Sequence, residues 1–199
     1  MIIAGAGSAG IETLAVYNNG EIIDNDIVFF DNKLTENNFI PPQYRIINDI
    51  EELKYFIERN PNFCVAVGNP RLRAKLFDTL MQNGGNPVLV KSKNIMQLSE
   101  IGDNGSIIHP SVTISYGCKF GKSAMLHAGC VIGHKVEIGN FVNVGPLASI
   151  VGPCKIGNYV YIGAKSLILP NVTIGNNAFI EAGAIVEKDV ADFETVKRK

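Results

Sequence analysis

The stretch from Ile108 to Val190 decides the fold. It begins IHPSVTISYGCKFGKSAML at residue 108 and ends ILPNVTIGNNAFIEAGAIVEKDV at residues 168–190. A large apolar residue recurs every sixth position without an insertion, at Ile108, Ile114, Phe120, Leu126, Ile132, Ile138, Val144, Ile150, Ile156, Ile162, Ile168, Ile174, Ile180 and Val186. The fifth residue of each unit is small, as in Cys118, Cys130 and Ala148. Neither a helical nor a simple strand period fits this spacing.

A period of six predicts a parallel β-helix built from hexapeptides. Each unit supplies a short strand and a corner, and three consecutive units make one coil. The apolar residue fills the core, and the small fifth residue lets the chain turn. Prolines such as Pro110, Pro146 and Pro170 suit corners, where no ladder N–H is needed.

The first 105 residues alternate predicted strands and helices. Strands are expected at 1–4, 27–30, 63–67 and 88–90, with helices at 11–19, 50–60 and 71–83. This order predicts a small Rossmann-like α/β domain with a parallel sheet. We therefore divide the chain into an α/β domain at 1–105, an all-β helix at 106–190 and a C-terminal tail at 191–199, the last expected to be solvated.

A glycine-rich turn joins the first predicted strand to the first helix. Gly5, Gly7 and Gly10 follow the GxGxxG spacing, and Asp31 ends the second strand about twenty residues later. Such a turn can present backbone N–H groups to a phosphate. The alternative is that these glycines serve only the geometry of a tight turn. The domain is short for a dinucleotide fold, so a mononucleotide is the favoured ligand.

Composition narrows the function classes. The chain has 199 residues, 46% of them hydrophobic and 19% charged, with a net charge of −1. No general electrostatic attraction to nucleic acid or to a membrane is expected, and no apolar run reaches transmembrane length. The N-terminus lacks the basic segment of a signal peptide, so we expect a cytoplasmic protein. The four cysteines are expected to be reduced core residues.

The whole chain resembles the PglD- and NeuD-like sugar acetyltransferases, a family that includes bacillosamine and perosamine N-acetyltransferases. The segments that carry the resemblance are GAGSAG at 5–10, FFDN at 29–32, VAVGNPRLR at 65–73, IIHPSVTI at 107–114, VIGHKVEIG at 131–139 and the segment at 168–190 quoted above. The resemblance implies a left-handed β-helix, a homotrimer and acetyl-CoA bound between neighbouring β-helices. It also implies that the N-terminal domain binds a nucleotide-linked sugar.

The same resemblance assigns roles to individual residues. His134, in the VIGH segment, matches the general base, and the amide of Gly152 matches the group that faces the thioester carbonyl. Asn143, Gly152, Ala164 and Ala182 would contact acetyl-CoA. Substrate binding falls to Gly7, Ser8, Ala9, Asp31, Asn32 and Gly68. The repeat independently stacks Gly152 on His134, since the two are three hexapeptide units apart. A corner glycine that needs positive φ is the alternative for Gly152.

Two departures from the family pattern bear on catalysis. Lys135 follows His134 where relatives carry an acid, and a cation disfavours a protonated imidazole beside it. Asn143 stands where the bacillosamine enzyme has a second histidine. His109 and His127 are also three units apart, but the next residue in that column is Gly145, so no metal is expected.

We therefore expect an acetyl-CoA-dependent N-acetyltransferase acting on a nucleotide-linked amino sugar of the 4-amino-4,6-dideoxy type, for bacterial glycan precursor synthesis. The attack is direct, with His134 as the general base. Two alternatives stay open. One is a sugar or sialic acid O-acetyltransferase of the same fold, and the other is a catalytically inactive trimer that binds sugar nucleotides. A hydroxyl depends more on a strong base than an amine does, so Lys135 favours the amine.

Overall fold

The fold is taken from a computed structural model that describes residues 1–18, 27–33 and 40–198. Within these residues the chain forms three helices, α1 (Ser8–Tyr17), α2 (Ile50–Arg59) and α3 (Pro70–Gln82). The N-terminal strands are β1 (Ile2–Ala4), β2 (Val28–Phe30), β3 (Arg45–Ile47), β4 (Asn62–Val65) and β5 (Asn86–Pro87). All five lie parallel in one sheet, in the order β3-β2-β1-β4-β5.

This sheet confirms the predicted parallel α/β domain, with two differences. β3 was not predicted, because its sequence Arg45-Ile46-Ile47 is too short to show alternation. The predicted strand at 88–90 is misplaced: β5, which completes the sheet, ends just before it at Pro87, and Val90 belongs to a sheet of the β-helix. Residue 19, the predicted end of the first helix, lies outside the described residues.

The β-helix is built of two-residue strands. From Ile107 to Val186 each strand is made of the sixth residue of one hexapeptide unit and the apolar first residue of the next, and two further strands precede this range and one follows it. The strands are β6 (Val90–Lys91), β7 (Met96–Gln97), β8 (Ile107–Ile108), β9 (Thr113–Ile114), β10 (Lys119–Phe120), β11 (Met125–Leu126), β12 (Val131–Ile132), β13 (Glu137–Ile138), β14 (Asn143–Val144), β15 (Ser149–Ile150), β16 (Lys155–Ile156), β17 (Tyr161–Ile162), β18 (Leu167–Ile168), β19 (Thr173–Ile174), β20 (Phe179–Ile180), β21 (Ile185–Val186) and β22 (Thr195–Val196).

The three sheets confirm a coil of three hexapeptide units. Their orders are β10-β13-β16-β19, β22-β20-β17-β14-β11-β8-β6 and β21-β18-β15-β12-β9-β7. From β8 to β18 each strand pairs in parallel with the strand three units further on, for example Ile132 with Ile150. Thirteen of the fourteen apolar anchors are buried, and Phe120 is half-buried at the edge of the same core.

The fourth residue of each unit turns the chain. It has positive φ in twelve units, at Ser111, Gly117, Ser123, Gly129, Lys135, Phe141, Leu147, Tyr159, Lys165, Asn171, Asn177 and Gly183. Pro153 cannot adopt positive φ, and the peptide bond before it is cis. The small fifth residues are buried in the core. The sequence pattern located the corners but did not identify the fourth residue as the one that turns the chain.

The sheets of the β-helix extend beyond residues 106–190. β6 and β7 pair with β8 and β9 before that range, and β22 pairs with β20 after it. The segment predicted to be a solvated tail therefore adds a strand to the last coil, which covers an exposed edge; residue 199 is not described. The division at residues 105 and 190 stays a prediction about folding units.

The N-terminal domain packs against one face of the β-helix. Ile107 and Met125, at the sixth position of their units, are buried in one cluster with Ile3, Phe29 and Val90. Phe141, at a corner, lies 5.4 Å from the Phe77 ring of α3 between ring centroids. These apolar contacts fix how the glycine-rich turn is placed relative to the coils.

Buried Arg73 of α3 adds a polar tie to this packing. Its guanidinium donates to the carbonyl oxygens of Ser123, Phe141 and Val142 at 2.8–3.0 Å, and to those of Val67 and Gly68 in its own domain. Burial lowers the pKa of Arg73 to about 9, and the five carbonyl oxygens hold the charged form at neutral pH.

Candidate active site

The third residues of the first thirteen units stack into three columns, one at each corner of the coil. We call them the histidine corner (Tyr116, His134, Gly152, Pro170), the asparagine corner (Lys122, Asn140, Asn158, Asn176) and the alanine corner (Pro110, Ala128, Pro146, Ala164, Ala182). The predicted site residues of the β-helix other than Asn143 fall on the histidine and alanine corners.

At the asparagine corner, side-chain oxygens accept hydrogen bonds from the backbone N–H groups. The N–H groups of Lys122, Asn140 and Asn158 donate to the Oδ1 of the asparagine one coil further on, at 2.8–2.9 Å. Asn176 N–H donates to Asp192 Oδ1 at 2.7 Å. This ladder leaves none of those four backbone donors for a ligand.

The other two corners leave their amides open. In the described part of the chain, no acceptor lies within hydrogen-bond distance of the N–H of Gly152, Ala164 or Ala182. Buried backbone N–H groups are nearly always paired, so the open amide of buried Gly152 is notable. These two corners therefore present donors that a ligand can use.

His134 lies half-buried on the histidine corner, directly beneath Gly152. A Cβ atom on Gly152 would lie 2.7 Å from the carbonyl carbon of His134 and nearer still to its oxygen. Gly152 does not have positive φ, so a left-handed turn is not the reason for glycine here. The reason is the close approach of the coil that carries His134. The stacking of these two residues on adjacent coils, predicted from sequence, is confirmed.

The Tyr116 ring stacks on the imidazole of His134, with centroids 5.7 Å apart and planes 18° from parallel. Sequence reasoning missed this neighbour, although the spacing of one coil from residue 116 to residue 134 could have located it. Lys135 lies at the turning fourth position with φ of 56° and is exposed.

Asn143 lies apart from His134, on the strand face that meets the N-terminal domain. It is 1% exposed, and its Oδ1 lies 3.2 Å from His127 Nε2. The His127 ring stacks on His109, with centroids 5.1 Å apart. Within the described chain no hydrogen bond joins Asn143 to His134. The single chain therefore does not bring these two predicted site residues together.

Burial lowers the pKa of both stacked histidines, His109 and His127. Loss of hydration lowers the pKa of His109 to about 4, helped by the neighbouring His127. Burial also lowers the pKa of His127, while the hydrogen bond to Asn143 and the charge of Glu12 act in the opposite direction. Both imidazoles are therefore in an environment that favours their neutral form.

The glycine-rich turn has two kinds of glycine. Gly5 has φ of 109°, and a Cβ on it would lie 2.6 Å from the Ala66 oxygen; a Cβ on Gly10 would collide with the Gly5 oxygen. A Cβ on Gly7 or Gly68 would meet no atom within 4 Å. Packing thus explains Gly5 and Gly10, whereas Gly7 and Gly68 border open space.

Open backbone donors also occur at the start of α1. Gly7 is the N-cap without a side-chain cap, and the N–H groups of Ser8 and Ala9 have no acceptor within the described residues. Asp31 lies beside this turn, accepting from Ala6 N–H at 2.9 Å and from Lys33 N–H at 3.0 Å. Asn32 is exposed. The turn and the end of β2 thus form one polar edge.

No described helix has both the length and the apolar character that crossing a membrane requires.

Comparison with known proteins agrees with this architecture. The PglD N-terminal domain family matches residues 1–80, and the six-repeat bacterial transferase hexapeptide family matches residues 135–169 and 153–188. GDP-perosamine N-acetyltransferase of Escherichia coli O157:H7 is 30% identical over 158 residues, which covers 75% of this chain and 69% of that protein.

Two solved structures are similar in fold. The acetyltransferase domain of PglB from Neisseria gonorrhoeae, in complex with acetyl coenzyme A, has a TM-score of 0.86 at 23% identity, over 98% of this chain and 94% of that one. PerB from Caulobacter crescentus, in complex with CoA and GDP-perosamine, has a TM-score of 0.81 at 24% identity, over 96% and 90%. The predicted fold class, a small parallel α/β domain followed by a left-handed parallel β-helix, is confirmed. The chain belongs to the PglD-type family of hexapeptide-repeat sugar acetyltransferases.

Proposed function

We propose that the protein transfers the acetyl group of acetyl-CoA to the amine of a nucleotide-linked amino sugar. The observation that carries the proposal is the pair at the histidine corner, a half-buried imidazole one coil below an open backbone N–H. The relative in Escherichia coli, named for N-acetylation of GDP-perosamine, supports the same reaction class.

The pair at the histidine corner has the two groups that acyl transfer to an amine requires. The amine nitrogen attacks the thioester carbonyl carbon, and His134 takes the proton that the nitrogen loses. Gly152 N–H donates to the oxyanion of the tetrahedral intermediate. The C–S bond then breaks, and the CoA thiolate takes the proton that His134 holds, so CoA leaves as its thiol and the imidazole is neutral again. No acyl-enzyme forms.

The alanine corner supplies two of the four proposed cofactor contacts. Ala164 and Ala182 are consecutive in their column, and their amides are open, so acetyl-CoA can accept hydrogen bonds along the corner. Gly152 on the histidine corner is a third proposed contact, and Asn143 is the fourth. It cannot carry a proton, so its role is limited to hydrogen bonding, and His134 remains the base.

The nucleotide-linked sugar is assigned to the N-terminal domain. The open amides of Ser8 and Ala9 at the start of a ten-residue helix suit a phosphate oxygen. Gly7 and Gly68 leave room for it, while Asp31 and Asn32 are available to the ribose or base. Asp31 already accepts two backbone N–H groups, which fixes the direction of its carboxylate.

We also propose a homotrimer as the active assembly. His134 and Asn143 lie on different sides of one chain, so a site that uses both needs a neighbouring subunit. The asparagine corner has no open backbone N–H among Lys122, Asn140, Asn158 and Asn176, which leaves the other two corners for the shared sites. Four free buried thiols are consistent with a reducing, cytoplasmic setting.

Thiol release from acetyl-CoA tests the proposal. The acceptors are UDP-, dTDP- and GDP-linked 4-amino-4,6-dideoxy sugars, with matched hydroxyl sugars and sialic acid as controls. We expect release with one amino sugar and an N-acetyl product by mass spectrometry. Release only with a hydroxyl acceptor would support the O-acetyl alternative, and acetyl-CoA binding without any release would support an inactive binding protein.

A further inference from the structure

Three potential metal ligands converge where α1 meets the first coils. One donor atom each from Glu12, His109 and His127 lies within 4.8 Å of the other two. The column of stacked histidines provides two of them because position two recurs at the same place on every coil. The third comes from α1, outside the column, so spacing within the β-helix could not reveal it.

His109 has an unexplained polar atom. Its side chain is only 6% exposed, and its Nε2 is buried without a hydrogen-bond partner among the described residues. A buried polar group without a partner is destabilising and rare in native proteins. A bound cation would supply the missing partner.

The donor set favours a transition metal. Imidazole nitrogens suit Zn²⁺, Fe²⁺ and related ions, and a carboxylate completes a three-ligand site with an open position. Hard ions such as Mg²⁺ and Ca²⁺ prefer oxygen ligands. We propose that Glu12, His109 and His127 bind a divalent transition-metal ion of the Zn²⁺ class at the seam between the two domains.

The three donor atoms need to move only slightly closer together to bind one ion. Zinc–nitrogen and zinc–oxygen bonds of about 2.0–2.2 Å place tetrahedral ligands roughly 3.4 Å apart. Glu12 is exposed on the surface of α1, so its side chain can move to shorten the longest separation. Asn143 Oδ1 can accept the Nε2 proton of His127, which leaves the lone pair on Nδ1 and restrains the ring.

The consequence of binding would be a link between α1 and two successive coils. Because α1 begins at the glycine-rich turn, the ion would hold the proposed sugar-nucleotide site against the β-helix. His134 and Gly152 are not ligands, so metal binding can be measured without reference to acyl transfer.

The test uses tag-free protein stripped of metal and titrated with Zn²⁺ by calorimetry. We expect one ion per chain and a higher melting temperature with Zn²⁺. Glu12→Gln changes an exposed side chain, so it should fold normally and weaken binding about tenfold or more. Glu58→Gln, an exposed glutamate on α2, is the matched control and should bind as wild type.

Replacing Zn²⁺ with Co²⁺ identifies the atoms that bind the ion, because the visible spectrum of Co²⁺ depends on its ligands. Its visible spectrum should indicate nitrogen and oxygen ligands, with no thiolate charge-transfer band, and His109→Gln should lose it. Absence of one-to-one binding, a thiolate band, or wild-type affinity in both Glu12→Gln and His109→Gln would overturn the proposal.

Discussion

Gly152 lies so close to His134 on the preceding coil that no side chain fits at residue 152. A Cβ at residue 152 would fall 2.7 Å from the His134 carbonyl carbon, well inside normal packing distance. The same stacking places the open N–H of Gly152 one coil from the imidazole of His134. Gly152 is thus required by the packing of the coils and is also the proposed hydrogen-bond donor to the reacting carbonyl.

Gly152→Ala should therefore both destabilise the fold and reduce turnover. Forcing a methyl group against backbone costs about 3 kcal/mol or more, which corresponds to a fall in melting temperature of about 10 °C for a chain of this size. Gly102→Ala is the control, because a Cβ there meets no atom within 4 Å. Equal melting temperatures for the two variants would contradict the stacking.

Ala164→Pro removes one backbone N–H donor, and the alanine corner already accommodates proline. Pro146 occupies the equivalent corner one coil earlier and also follows a glycine. A hydrogen bond to acetyl-CoA worth about 1.4 kcal/mol would raise KM for acetyl-CoA about tenfold. Circular dichroism and the melting temperature should stay near wild type. An unchanged KM would exclude this amide as a cofactor contact.

Arg73 should be hard to replace, because five carbonyl oxygens accept from one buried guanidinium. Lysine has three donors, so Arg73→Lys leaves at least two acceptors unpaired, and we expect a loss of about 3 kcal/mol of unfolding free energy. Neighbouring Arg71 is exposed, and its guanidinium lies over the Tyr159 and Phe193 rings. Arg71→Ala should cost about 1 kcal/mol or less, since exposed cation–π contacts contribute little. Similar denaturation midpoints would show that the buried network contributes little.

Cys64 and Cys130 should resist alkylation in the native protein. Burial raises the pKa of each thiol to about 12, so the reactive thiolate is scarce at pH 8 and the sulfur is inaccessible. Mass spectrometry after iodoacetamide treatment should find both unlabelled in buffer and all four cysteines labelled in guanidinium chloride. Fast native labelling at either residue would show that its core opens readily.

The repeat made most of the β-helix predictable. Strict spacing at residues such as Ile132 and Ile150 determined the length of the coil, and with it the stacking of His134 under Gly152. The positive φ at fourth positions was not predictable, since residues as different as Phe141 and Lys135 adopt it. Their conformation is imposed by the neighbouring coils, so it leaves little trace in residue type.

Contacts between the domains were beyond sequence reasoning. Nothing in the spacing indicates that Glu12 approaches His127, or that Arg73 reaches Ser123. Both depend on how apolar residues such as Met125 pack against the N-terminal sheet. The columns of the β-helix are local and periodic, whereas this packing joins segments far apart in the chain.

The most direct test of the central claim compares His134→Ala with Lys122→Ala. Lys122 occupies the same third position on the closed asparagine corner, and its exposed side chain makes it a matched control. With the amino sugar that supports turnover, loss of a general base should lower kcat by about 10²- to 10⁴-fold in His134→Ala, with the melting temperature unchanged. Lys122→Ala should match wild type. Wild-type kcat in His134→Ala would contradict the assignment of this imidazole as the base.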